Sequence, residues 1–432
     1  MKMVKSLLLG TAAGLVAMTG AQAADLPVKA KPVQYVKICS LYGAGFYYIP
    51  GTDTCIKLGG WVRAEVNINS FGSFNPYHTM NLDSPAKNLA AWRARGIMTV
   101  DARSQTEYGT LRSYLAGGLE WNNGSGAVPA TGAGFYAYRA FIQWAGITAG
   151  RAQSFFDFYS TPAYSNTTNV WGSDTGGTGD MVFAYTAQFG NGLSASVSAE
   201  DQALRRTFVT GAGFGYSGVQ WPDVVANLRI DQAWGSAQIM GAIHQVRANS
   251  ATAVQDEIGF AAGAGVTVNL PMLGRGDSIS TQVTYAKGAL HYVGAGLGAG
   301  FAISTGWPVT TSTAFGPVFD AVATSPTSME LTEGWSVVGG FQHAWNPHWK
   351  TSLYGTYGAI NYSAAACGVS ASFCDWSMWQ AGSRTVWTPV ANLDLSVDVM
   401  YNHINTAFDG AAGVADKGWW QGMFRIQRNF YP

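Results

Sequence analysis

The sequence predicts an all-β fold, a 16-stranded antiparallel transmembrane β-barrel with its third long loop folded inward. Three observations predict it. From Ile56 onward, small or apolar residues alternate with polar, charged or aromatic ones over segments of about 9 to 13 residues. The gaps between these segments are alternately tight and long, so short turns gather at one end and long loops at the other. Tryptophans stand near both ends of the segments, where amphipathic side chains settle at the two surfaces of a membrane.

Composition narrows the field before any strand is placed. Of 432 residues only 12% are charged, about half the share in soluble domains. Apolar residues at 47% exclude intrinsic disorder, and a mean hydropathy of +0.05 is too low for a bundle of membrane helices. With 25 basic against 25 acidic residues there is no basic footprint for nucleic acid, which is not expected as a partner.

Residues 1–23 read as a cleaved secretory signal. Lys2 and Lys5 provide its positive start, Ser6 to Met18 its apolar stretch, and Ala21-Gln22-Ala23 a small-residue cleavage site. The apolar run is short and glycine-interrupted, which favours a cleaved leader over a membrane anchor. Residues 24–55 form an N-terminal segment, and residues 56–432 the barrel. In an exported chain the four cysteines can pair in three ways. Spacing favours Cys39 with Cys55 and Cys367 with Cys374, since each pair closes a short Gly- or Ser-rich loop, against the alternative of free thiols.

Strands are expected near residues 56–68, 92–104, 109–121, 135–145, 148–154, 181–190, 193–201 and 224–232. Eight more follow near 236–247, 257–269, 276–288, 334–344, 348–361, 376–387, 392–405 and 419–431. In the first, Ile56, Leu58, Gly60, Val62, Ala64, Val66 and Ile68 share one face, and Lys57, Trp61, Arg63, Glu65 and Asn67 the other. A soluble sandwich shows the same alternation but has no reason to segregate its loops by length. Trp144, Trp234, Trp345, Trp349 and Trp387 fall at tight turns, whereas Trp92, Trp121, Trp335, Trp376, Trp419 and Trp420 fall beside long loops.

Inward positions of the first five strands collect Lys57, Arg63, Arg93, Arg95, Arg103, Arg112, Arg139 and Arg151, whose charges need water rather than lipid. The third long loop, about residues 154–180, carries Asp157, Asp174 and Asp180. Folded into the lumen, it sets carboxylates against the arginines. Opposite charges about 6 Å apart, at an effective dielectric near 20, interact by roughly 3 kcal/mol, enough for a steep transverse field. The competing reading pairs these arginines with Glu65, Asp101 and Glu120 in a plugged barrel.

Catalytic patterns are absent: no G-x-S-x-G, no H-E-x-x-H and no G-x-x-x-x-G-K occurs, and the six histidines are scattered. His343 and Ser336 form a formal pair for a barrel lipase, but their odd separation puts them on opposite faces. No enzyme activity, metal or cofactor is expected.

Residues 36–60, VKICSLYGAGFYYIPGTDTCIKLGG, closely resemble the N-terminal signature of the alphaproteobacterial porins of the Brucella and rhizobial type. Gln427-Arg428-Asn429-Phe430 resembles that family's last strand, although here Tyr431-Pro432 follow the terminal aromatic. The resemblance implies a homotrimeric porin in the outer membrane of a Gram-negative cell, among lipid and lipopolysaccharide, passing small hydrophilic solutes and ions passively. Two alternatives are a substrate-selective channel and a non-conducting structural or adhesin barrel.

Overall fold

The computed structural model describes residues 37–68, 90–123, 132–166, 170–177, 179–211, 213–250, 253–294, 318–369, 375–406 and 417–430. The leader, the first long loop and Cys374 lie outside these, and so does the expected Cys367–Cys374 pairing. Among the described residues, eighteen strands join one sheet, and two of them, Tyr47–Tyr48 and Gly215–Tyr216, are two-residue annexes. The other sixteen form the wall. They begin with β1 (Cys55–Ile68), β2 (Ala90–Thr106), β3 (Gly109–Asn122), β4 (Gly132–Trp144), β5 (Ile147–Ala152) and β6 (Asp180–Gly190). Next come β7 (Leu193–Glu200), β8 (Asp223–Gln232), β9 (Gly235–Asn249), β10 (Val254–Asn269) and β11 (Ser278–Lys287). The ring is completed by β12 (Glu333–Asn346), β13 (Trp349–Asn361), β14 (Trp376–Val390), β15 (Leu393–Thr406) and β16 (Lys417–Asn429).

Each wall strand pairs antiparallel with its neighbours in sequence. The ring closes where β16 pairs with β1, from Trp61 opposite Asn429 to Ile68 opposite Gly422. Closure leaves no first or last strand of the ring unpaired, as hydrocarbon demands.

Burial on the wall is inverted. In β11, Ser280, Gln282 and Thr284 are buried while Ile279, Val283 and Tyr285 are exposed, Gln282 at 1% and Ile279 at 45%. In β1, Glu65 and Asn67 are buried while Leu58, Val62 and Ile68 are exposed. Water would not tolerate such an outer surface, but lipid requires it.

The tight turns are built from residues that accept positive φ. Ala145 (φ 50°) and Gly146 (φ 86°) join β4 to β5, and Asn191 (φ 49°) and Gly192 (φ 75°) join β6 to β7. Two successive left-handed residues give the turn twist that matches a right-twisted hairpin. The expected strand limits differ from the observed ones by a few residues, as fraying and bulges dictate.

Two expectations need correction. Residues 202–223 and 289–333, read as loops, contain a small three-stranded sheet in which Ala321–Ser325 lies between Val209–Thr210 and Ser328–Leu331. These pieces are too short to be read from alternation. Trp376 and Trp419, expected at the lipid surface, are buried at 3% and 5% and pack inside the mouth with Trp171, Leu290 and Tyr292. Trp92, Trp121, Trp335 and Trp420 at that end are exposed, as are Trp144, Trp234, Trp345, Trp349 and Trp387 at the turn end.

Candidate functional site

Strand register brings Arg63, Arg93 and Arg95 together. Arg63 stands directly opposite Arg95 on β2 and Gln427 on β16, and Glu65 opposite Arg93 and Arg425. Arg93 pairs with Glu65, which also accepts from Arg425 Nε at 2.7 Å. Arg95 pairs with Glu120 and donates to the Tyr138 hydroxyl at 3.1 Å. Arg63 instead donates to Gln427 Oε1 at 2.8 Å, and its guanidinium lies 4.2 Å from the Trp61 ring centroid. Among the described residues it has no carboxylate within ion-pair distance. The row thus holds four guanidiniums against two carboxylates, and one of the four, Arg425, was not among the residues singled out from the sequence.

A second basic group lies toward the short turns. Arg103 and Arg112 share Asp101, at 2.7 and 3.0 Å, and Arg112 also donates to Gln143 Oε1 at 3.0 Å. Lys57 Nζ donates to the carbonyl of Ala44 at 3.1 Å, and Arg103 sits 4.9 Å from the Phe46 ring centroid. Ala44 and Phe46 belong to the N-terminal segment, whose Cys39 and Cys55 form a disulfide around a small core with Phe46. Arg151 lies on β5 between Ala140 and Met181 of the flanking strands.

The chain between β5 and β6, residues 153–179, is held by side chains from the buried face of much of the ring. Phe158 and Tyr159 N–H donate to Gln282 Oε1 at 3.3 and 2.8 Å, and Trp171 N–H to Gln380 Oε1 at 2.9 Å. Ser165 Oγ and Asn166 N–H donate to Asp398 Oδ2, at 3.0 and 2.5 Å. Arg384 donates to the carbonyls of Pro162, Ala163 and Ser165, and Arg425 Nη2 to that of Asn166 at 2.6 Å. On the opposite side, Arg139 donates to the carbonyls of Gly176 and Gly177 at 2.7 and 3.3 Å.

The three expected carboxylates are largely occupied with bracing this segment. Asp157 accepts from the Thr175 N–H at 2.8 Å, from the Thr175 hydroxyl, and from Arg205 Nη2 at 3.2 Å. Asp174 accepts from Thr161 N–H and Gly176 N–H, both at 2.8 Å. Asp180 accepts from Met181 N–H at 2.7 Å and lies 3.6 Å from Arg205 Nε. In the basic wall, Arg139 feels the charges of Asp157 and Asp174. Burial, and then the charge of Asp157, push the Asp174 carboxyl up to about 6.

Gln282, Gln380, Arg384, Asp398 and Arg425 escaped the sequence reading, yet each occupies a buried position of the same alternation in a later strand. Arg205 carried no such signal, since it lies in an irregular segment. At the start of β8 and within β9, Asp223 and His244 form a chain of hydrogen bonds with Tyr216 and Asp320. His244 Nδ1 lies 2.8 Å from Asp223, and the Tyr216 hydroxyl lies 3.2 Å from His244 Nε2 and 2.7 Å from Asp320. No cluster able to hold a metal occurs among the described residues.

Comparison with known proteins places this architecture. The outer membrane channel DcaP of Acinetobacter baumannii superposes with a TM-score of 0.64 at 17% identity, covering 89% of this chain and 99% of that one. The similarity at that identity concerns the fold. Porin Omp2b of Brucella abortus is 35% identical over 245 residues, 54% of this chain and 64% of that protein, so the alignment covers just under two thirds of the relative. Porin Omp2b of Brucella suis is 33% identical over 277 residues, 59% of this chain and 70% of the relative. The family described as the Porin subfamily matches residues 25–422, nearly the whole of the wall, and the chain belongs to that family.

Proposed function

We propose that the protein is a passive outer-membrane channel of a Gram-negative cell for small hydrophilic solutes and ions. The inverted burial of a closed ring carries this reading, because it leaves polar side chains facing a lumen and apolar ones facing lipid. The 153–179 segment is the constriction. Its hydrogen bonds to β4, β11, β14, β15 and β16 support a course across the lumen. Phe156, Trp171, Tyr292, Phe319, Trp376 and Trp419 fill the space against the later strands, which leaves the arginine side for water. Solutes then pass Arg63, Arg93, Arg95 and Arg139, with Asp157 and Asp174 acting on Arg139 from within the segment, Lys57, Arg103, Arg112 and Arg151 lining the rest of the early-strand wall, and Asp180 holding the segment's end.

Purified protein added to a planar bilayer is expected to produce stepwise, ohmic conductance, and liposomes containing it to swell in arabinose. A failure of both rejects the channel and leaves a structural or adhesin barrel. The excess of guanidiniums over carboxylates around Arg63 favours a second, narrower reading, a channel that prefers anions. On either reading Arg63→Ser shifts the reversal potential toward cations. Saturating block by submillimolar anion singles out the selective channel.

Across β16, β1, β2 and β3 the outer surface forms an apolar groove of about 590 Å³ lined by Ala64, Val66, Trp92, Ala94, Phe424 and Ile426. We read this as the face on which protomers of a homotrimer meet, surrounded elsewhere by lipid and lipopolysaccharide.

A further inference from the structure

Arg205 belongs to the stretch between β7 and β8, not to the wall, yet its side chain is fully buried at 0% exposure. Its guanidinium ties together parts of the molecule that are distant in sequence. Nη2 donates to Asp157 Oδ1 at 3.2 Å, near the start of the 153–179 segment, and Nη1 to the carbonyl of Ser173 at 3.2 Å, near its end. Nε lies 3.6 Å from Asp180 Oδ2, where the segment rejoins the wall. The face of the guanidinium lies 4.5 Å from the ring centroid of Tyr292, which belongs to the stretch after β11 and whose hydroxyl donates to Asp223 at 2.7 Å. Glu200, at the end of β7, accepts from Phe155 N–H at 2.8 Å and adds to the acidic surroundings of Arg205. Two long connections therefore grip a third through one cation.

A buried ion pair is a poor way to gain stability, because apolar residues of similar volume often serve as well. What it supplies is a discrete position: a guanidinium has a planar fork that fits its acceptors in one arrangement. We propose that Arg205 is a positioning residue that fixes the constriction segment, and so sets the conductance and ion preference of the channel. The proposal rests on the channel reading above. It acts through Asp157 and Ser173, whose displacement moves Asp174 and the Gly176 and Gly177 carbonyls bound to Arg139.

The test compares the full chain with Arg205→Met, which keeps the volume and removes the fork, and Arg205→Lys, which keeps the charge. Hydrogen–deuterium exchange is followed by mass spectrometry on peptides covering residues 155–177, with single-channel conductance and reversal potential measured on the same preparations. Breaking a buried pair is expected to speed exchange of that segment by roughly a hundredfold in Arg205→Met, with the wall strands unaffected. Conductance should change at least twofold and become noisy, and Arg205→Lys should recover part of both. Wild-type exchange in Arg205→Met overturns the proposal, and so does acceleration spread evenly over the wall strands. If Arg205→Met does not assemble, Arg205→Lys and Asp157→Asn decide, since each must speed exchange in the segment ahead of the wall. A wild-type chain that never opens in the bilayer defeats the channel reading, while the exchange measurement still judges whether Arg205 holds the segment.

Discussion

Asp174 illustrates how one side chain couples the segment to pH. Its carboxyl rises from 3.8 to about 6, by burial first and then by the charge of Asp157. The sign follows from linkage: the fold favours the neutral acid, so this contribution is fully present below pH 3.8 and is lost as pH rises through about 6. Acidification from pH 7.5 to 5 therefore holds the segment more firmly and removes a negative charge close to Arg139. The reversal potential is expected to move toward anions over that interval, with a midpoint near pH 6. Asp174→Asn should abolish the movement, and an unchanged titration in that variant would assign it to another group. The basic residues of β1 and β2 were legible because Lys57 and Arg63, and Arg93, Arg95 and Arg103, fall at even spacing on one face that cannot meet lipid. Their pairing with Glu65, Asp101 and Glu120 was legible as the competing reading, whereas Arg425 was not, since it stands 360 residues from Glu65 and meets it only through closure of the ring.

At the scale of elements, the wall strands and tight turns follow from local chemistry, and the turns can be tested. A Cβ on Gly192 would come within 1.9 Å of the Asp231 carbonyl oxygen, and the residue already has φ of 75°. Gly192→Ala must displace backbone as well as occupy a left-handed conformation, which alone costs about 1–2 kcal/mol. A lower urea midpoint with unchanged single-channel conductance is the expected result, because the turn lies at the opposite end of the strands from the mouth. The sixteen wall strands were readable from alternation, being mostly longer than ten residues. The sheet formed by Val209–Thr210, Ala321–Ser325 and Ser328–Leu331 was not, because strands of two to five residues have no period of their own. It exists because a core of Val209, Phe214, Val246, Ala321, Ala323 and Met329 packs between stretches that the ring brings together.

For the whole molecule, the governing fact is that polar groups are inside and apolar groups outside. Native mass spectrometry in mild detergent should give three copies, and filling the outer groove by Ala64→Trp should reduce that species in favour of single copies that still show β circular dichroism. A monomer in both preparations would overturn the trimer. The disulfide between Cys39 and Cys55 ties the N-terminal segment to the first residue of β1. That pairing was readable from the two cysteines bracketing a short glycine-containing loop. The burial of Trp376 and Trp419 was not, since a tryptophan at a strand end satisfies either a lipid surface or a packed mouth, and only the path of the neighbouring loops chooses between them.

Alternation along the chain was enough for the class of fold, the order of about sixteen wall strands and, in the early strands, which face is wet. Alternation of polarity and positive-φ turn residues are local properties, and a closed ring is the one way for such strands to satisfy their backbones in lipid. How Asp157, Asp174 and Asp180 are used, that Arg63 meets Gln427 and not a carboxylate among the described residues, and that Arg205 reaches the 153–179 segment were settled only by the folded chain. Those outcomes depend on where irregular stretches run after the ring has closed, and no period in the sequence encodes a contact between side chains brought together by different loops.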